Sequence, residues 1–174
     1  MSPSLGTLLQ GATKITVLGV GSELRSDDVA GLLVARALAD AFPDSELLLA
    51  IDGATAPENF TGQIIRFAAS HLVIVDCADT GEAPGSVKVF PVADIGGVSS
   101  NTHTLPLKII VDYLNKFAPC ETIVVGIAPR SLAFDGRPAA EVVAAADRVA
   151  AELIAAGRLL GGAGKETAAS HGRP

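Results

Sequence analysis

HLVIVDC, residues 71–77, is the stretch on which the fold turns. Four consecutive apolar residues, Leu72 to Val75, leave no polar face, so a strand built on them is covered on both sides. Sheets covered on both sides are characteristically parallel, with helices above and below. Working outward, the same kind of run recurs as KITVLGVG (14–21), ELLLAID (46–52) and ETIVVGIA (121–128). A fifth run, SVKVFPV (86–92), alternates and carries Pro91, which has no N–H for a ladder and so marks an edge strand. Between these runs the apolar period lengthens. Val29, Leu32, Leu33, Val34, Ala37 and Leu38 share one face of a helix expected over 27–42, with Ser26 and Asp27 as candidate N-caps. Further helices are expected over 57–70, with Pro57 in the first turn, over 105–117, and over the alanine-rich 138–160. Strands alternating with helices predict an α/β domain, helices lying on both faces of a largely parallel sheet. There is no internal repeat. The domain is expected to occupy 1–160, and 161–174 (GGAGKETAASHGRP), without apolar period, to be a frayed tail.

Composition narrows the function classes. The chain has 174 residues, 49% hydrophobic and 18% charged, enough to bury a core without disulfides or metal. A net charge of −6, from 13 basic and 19 acidic residues, provides no basic surface for nucleic acid. Apolar runs of five or six residues fall far short of the roughly 20 that span a bilayer. Residues 1–13 show no basic start followed by a long apolar stretch. Two cysteines, Cys77 and Cys120, make no disulfide framework and no C-x-x-C pair. The expectation is a soluble cytoplasmic protein in a reducing compartment.

The acids carry the functional signal. Asp27 and Asp28 follow the first strand, Asp52 ends the second, and Asp76 lies near the end of the third. Ligands of open α/β sheets sit outside the carboxyl ends of the strands, so three strands send carboxylates to one rim. Crowded carboxylates repel, and a cation, a proton or backbone donors must balance them. Each acid also has a plainer reading. Asp27 and Asp28 suit a helix N-terminus, and Asp52 before Gly53 suits a turn. Asp76 resists dismissal, because it interrupts a buried run where a carboxylate is costly. His103, in NTHTLP (101–106), stands at a loop-to-helix junction and is a potential metal ligand. His71 and His171 have no acidic neighbour in sequence and are read as structural or solvated. Gly19 and Gly21 begin like a dinucleotide fingerprint, but Leu24 takes the third glycine's place and two acids follow, which excludes a pyrophosphate. The glycines instead let the backbone pass close to something. No G-x-S-x-G elbow is present, Cys77 follows Asp76 and points to the opposite face of a regular strand, and Cys120 has no histidine nearby in sequence, so nucleophilic catalysis is poorly supported.

Taken in order, these segments resemble the hydrogenase maturation endopeptidases. GVGSEL (19–24) with Asp27, Asp28 and Gly31 is similar to that family's opening motif. DGAT (52–55) with PEN (57–59) resembles its second-strand motif. IVDCAD (74–79) resembles its third, THTLPL (102–107) its histidine motif and GIAP (126–129) its last strand. The resemblance covers roughly residues 14 to 155. Two positions depart: Ser22 stands where the family usually has asparagine, and Val29 where it usually has glycine.

The resemblance implies a three-layer α/β/α sandwich around a five-stranded mixed sheet. It implies removal of a C-terminal extension from the large-subunit precursor of a nickel–iron hydrogenase, after nickel insertion. Matched residue by residue, the family's metal contacts and catalytic centre fall on Asp28, Asp76 and His103, and its substrate-recognition acid on Asp52, beside Gly53. Two carboxylates and an imidazole form an oxygen–nitrogen donor set for Ni²⁺ with positions left open for substrate thiolates. The expected partner is the nickel-loaded precursor, which supplies the metal. The free protein is expected to hold no tightly bound metal and to be a monomer. Two other readings use the same residues: a nickel carrier that assists assembly without cutting, and a small metal-dependent hydrolase, which the absence of H-E-x-x-H disfavours.

Overall fold

The computed structural model describes residues 4–90 and 104–166. In chain order these form α1 (Leu5–Leu8), β1 (Ile15–Gly19), α2 (Ala30–Ala41), β2 (Leu48–Asp52), α3 (Thr61–Phe67), β3 (His71–Cys77), β4 (Val87–Phe90), α4 (Thr104–Phe117), β5 (Glu121–Ile127) and α5 (Ala140–Glu166). Short 3₁₀ turns, Ser26–Val29 and Pro57–Phe60, lead into α2 and α3. The sheet runs β2-β1-β3-β5-β4. Four strands are parallel, and β4 alone is antiparallel, at the edge beside β5. This is the mixed five-stranded sheet that the resemblance implied, and β4 takes the edge that its alternating pattern predicted.

Strand alternation divides the core into two layers. Val17 of β1, Val73 and Val75 of β3 and Val125 of β5 pack against Val34 and Leu38 of α2 and Val142, Val149 and Leu153 of α5. Leu18, Leu72, Ile74 and Val124 point the other way, against Ile64 of α3 and Leu107, Ile110, Val111 and Leu114 of α4. Every residue of β3 is buried, as its unbroken apolar run required. The helices on opposite faces are therefore α1, α2 and α5 on one side and α3 and α4 on the other.

Three boundaries differ from expectation. Helix α2 starts at Ala30, not Asp27, and Val29 precedes it without a side-chain cap. Ser26 and Asp27 lie in the 3₁₀ turn and serve the loop before α5 rather than the α2 end. Helix α5 continues past Leu160 to Glu166, although 161–166 (GGAGKE) holds three glycines and helix propensity gives no reason for the extension. Helix α1, a single turn capped by the Ser4 hydroxyl, has no periodic signature in sequence.

The glycines explain how closely the layers approach. A Cβ on Gly19 would stand 2.1 Å from the Gly31 carbonyl oxygen, and one on Gly31 would stand 2.3 Å from that of Val75. Helix α2 thus lies directly on the ends of β1 and β3. What the backbone passes close to is its own helix. Among the described residues no helix is long and apolar enough to cross a membrane.

Candidate active site

The strand order reverses at β1. Its successor β2 lies on one side, and β3, reached through α3 on the opposite face, lies on the other. The crevice between the carboxyl ends of β1 and β3 is the topological switch point, where open α/β sheets bind ligands. Two acids flank it. Asp76 is the penultimate residue of β3. Asp28 arrives on the turn after β1, which folds back over the strand end. Ser22 N–H donates to the Asp28 carbonyl at 3.0 Å, and Val20 N–H donates to the Val75 carbonyl at 2.8 Å. Gly21 (φ +149°) lets that return pass so closely that a Cβ would fall 1.8 Å from the Asp28 carbonyl oxygen.

Both acids are buried, Asp28 to 1% exposure and Asp76 to 6%. Burial first, and the charge of Asp28 second, push the Asp76 carboxyl up to about 8. One donor opposes this: Cys77 N–H gives a 2.8 Å hydrogen bond to Asp76 Oδ1. A carboxyl with so high a pKa is mostly protonated at neutrality. A cation bound between the two acids would favour both ionised forms. Among the described residues no group of three His, Cys, Asp or Glu side chains is arranged to hold a metal. The third expected ligand, His103, lies outside the described residues.

Asp27 has a different task from its neighbour. Its carboxylate, 0% exposed, accepts backbone N–H groups from Arg130 at 2.8 Å and Ser131 at 2.9 Å on Oδ2, and from Ala139 at 2.6 Å on Oδ1. Asp27 N–H donates in return to the Ser131 carbonyl at 3.2 Å. The helix-start reading of Asp27 is therefore replaced by a tie between the β1–α2 turn and the β5–α5 loop. Nothing in the spacing of residues announces this, because all the partners are main-chain groups about a hundred residues away.

Comparison with known proteins now decides the family. The hydrogenase maturation protease family model matches residues 32–156, a stretch that begins just after Asp28 and holds Asp52, Asp76 and His103. A protein of Methanocaldococcus jannaschii described as a candidate hydrogenase maturation protease is 36% identical over 72% of this chain and 78% of its own. The Hydrogenase 3 maturation protease of Escherichia coli K12 is 35% identical over 68% and 74%. The chain belongs to the hydrogenase maturation protease family. The crystal structure of a NiFe hydrogenase maturation protease from Thermococcus kodakarensis superposes with a TM-score of 0.81 at 26% identity, covering 88% of this chain and 98% of that one.

Within this protease the remaining sequence candidates find definite places. Asp52 Oδ1 accepts from Ala54 N–H at 3.1 Å, which is the turn role its neighbour Gly53 foretold. Its Oδ2 also takes an ion pair from Arg36 at 2.7 Å, and Arg36 reaches Glu23 at 2.6 Å. Register puts Asp52 opposite Gly19, which in turn faces Val75, so Asp52 stands two strand spacings, roughly 10 Å, from the β3 end. Gly53 packs under the strand ends, where a Cβ would meet Leu18 Cδ1 at 2.8 Å. His71 sits at the opposite end of β3 from Asp76, with Nδ1 3.0 Å from Ser70 Oγ and Nε2 3.4 Å from the Glu121 carboxylate. That agrees with a structural role. Cys77 is fully buried, and burial together with Asp76 pushes its thiol far up, so it offers no thiolate nucleophile. Of the two departures from the family pattern, Val29 adopts an ordinary helical conformation (φ −79°) and needs no glycine. The Ser22 hydroxyl accepts from Leu24 N–H at 3.3 Å and supports the same turn.

Proposed function

We propose that this protease removes the C-terminal extension of a nickel-loaded hydrogenase large-subunit precursor, and that the precursor's nickel is gripped by Asp28, Asp76 and His103. The observation that carries the reading is Asp76: a carboxyl buried at the switch point and pushed up to about 8 beside a second buried acid. Such a pair is poorly arranged to stand alone and well arranged to receive a cation. Strand alternation puts Asp76 on the face of Leu72 and Ile74, the face that α4 covers. Helix α4 begins at Thr104, the residue after His103. Oxygen and nitrogen donors suit Ni²⁺, and a three-donor set leaves positions open for the precursor's own thiolates.

Nickel then acts as a recognition element carried by the substrate. A precursor without it lacks the ion that bridges the two chains, so the metal supplies specificity. Bridging also sets the scissile bond beside the acids, and positioning of this kind contributes up to about 7–11 kcal/mol toward the barrier. Asp28 is the candidate general base for peptide hydrolysis. The protein works in this reading as a cytoplasmic monomer, with the large-subunit precursor as its partner and no resident metal.

The test is the mass of the product. Purified protein incubated with nickel-loaded precursor should release a C-terminal peptide. Asp28→Asn, Asp76→Asn and His103→Ala should each leave the precursor intact, with melting behaviour showing a folded protein. Normal cleavage by any one of these variants removes that residue from the site. An unchanged precursor mass with the unaltered protein favours a carrier instead.

A further inference from the structure

The β1–α2 turn and the β5–α5 loop are joined by more bonds than the Asp27 carboxylate alone supplies. Asp135 N–H donates to the Leu24 carbonyl at 3.1 Å, Arg25 Nε to the Leu132 carbonyl at 3.4 Å, and the Ser26 hydroxyl to the Arg137 carbonyl at 3.2 Å. Ser26 holds a left-handed conformation (φ 39°), which a non-glycine residue adopts only when its surroundings enforce it. This pinned structure displays large apolar side chains to solvent. Phe134 is 71% exposed and Leu24 is 64% exposed, and the Arg25 guanidinium lies 5.6 Å over the Phe134 ring. Aromatic and arginine side chains are enriched where proteins meet partners. A surface fixed in advance loses little freedom when something docks on it. Asp28 lies on the same turn, and the β5–α5 loop leaves the carboxyl end of β5 beside that of β3, so the display stands on the same rim of the sheet as the switch-point acids.

We propose that this clamped loop is a second wall of the cleavage site: Phe134 and Leu24 hold an apolar stretch of the hydrogenase precursor, and Asp27 is the positioning residue that keeps the wall in register with Asp28. The inference rests on the protease reading above and names its substrate-contacting surface. Phe134 and Leu24 act through uniform binding, which is felt in KM. Asp27 touches no substrate; it acts through the placement of Asp28, which is felt in kcat.

The experiment uses the full chain and a nickel-loaded large-subunit precursor, with cleavage followed over a range of precursor concentrations. The double variant Phe134→Ala, Leu24→Ala should melt with the unaltered protein, since both side chains are exposed. Its KM should rise about tenfold or more with kcat within about twofold. Asp27→Asn sets an amide NH₂ against backbone N–H groups. Hydrogen-exchange protection at Arg130, Ser131 and Ala139 should fall, and kcat should drop about tenfold or more with a smaller change in KM. If Asp27→Asn does not fold, Gly136→Ala replaces it: its Cβ would stand 2.6 Å from Ser26 Oγ and wedge the loop off the turn from the solvent side, with the same fall in kcat. An unaltered KM in the double variant overturns the docking surface, and an unaltered kcat in the loop variants overturns the positioning role. Unaltered protein that leaves the precursor uncut sinks the protease reading and this inference together, whereas cutting alongside indifferent variants sinks the inference alone.

Discussion

Asp76 and Asp27 show how differently two buried acids can be used. Asp27 is satisfied by three backbone N–H groups and ties two loops together. Among the described residues the Cys77 N–H is the donor that opposes the desolvation of Asp76, and its carboxyl rises to about 8. The stability consequence has a definite sign. The folded chain keeps the Asp76 proton up to about pH 8, while the unfolded chain releases it near 3.8. Between those values the native state binds the extra proton, so stability falls as pH rises, and above about 8 the loss is complete. Asp76→Asn has no charge to bury. In chelator-treated buffer its unfolding free energy, from denaturant titration, should exceed that of the unaltered protein by a margin that widens from pH 5 to pH 8, by on the order of 1 kcal/mol per pH unit, and then stays constant. A margin that does not vary with pH would mean that Asp76 is already ionised in the free fold. The acid's presence in an apolar run was legible as a cost. Its pKa was not, because burial and the Asp28 charge come from the packing of separate segments.

At the scale of elements, the largely parallel sheet could be read from apolar runs, and the edge place of the fifth strand from its alternation and Pro91, since those signals are local; that β4 runs antiparallel came from the resemblance and the fold. Helix starts were less legible. The 27–42 pattern hides a 3₁₀ turn, and the cap expected at Asp27 is absent because its carboxylate is drawn to a distant loop. Gly31 belongs to this scale as well. It is the second residue of α2, and its missing side chain lets the helix rest on β1 and β3, with Val75 and Val20 carbonyl oxygens 2.3 and 2.4 Å from where a Cβ would be. The Val75 carbonyl is held in β3 and the Val20 carbonyl lies just past the end of β1, so both are main-chain groups that cannot yield cheaply. Gly31→Ala should therefore destabilise the protein by about 3 kcal/mol or more, despite alanine's better helix propensity, as measured by denaturant titration. A neutral or stabilising result would show that α2 can lift from the sheet, and the closeness of Asp28 to the β3 end would have to be reconsidered.

At the scale of the molecule, the two apolar layers are complete without any ion. Val and Leu side chains fill both faces of the sheet, and the acids lie at its rim. Chelation of the purified protein should therefore leave its melting temperature unchanged, and nickel salt alone should raise it by only a degree or two, since stabilisation by a ligand follows its affinity for the native state. A melt that drops by many degrees on chelation would make the metal resident and end the view of nickel as cargo. The alternation of strands and helices, the count of strands and the placing of acids at or after the ends of three strands were determined by the sequence alone, because each depends on neighbouring residues. That Asp28 and Asp76 flank one switch point while Asp52 pairs with Arg36 and Asp27 ties down a loop was decided only by the tertiary structure. Four acids of like chemistry were sorted into separate tasks by which distant main-chain donors and charges the sheet order brought beside each one, and no local stretch of chain contains that information.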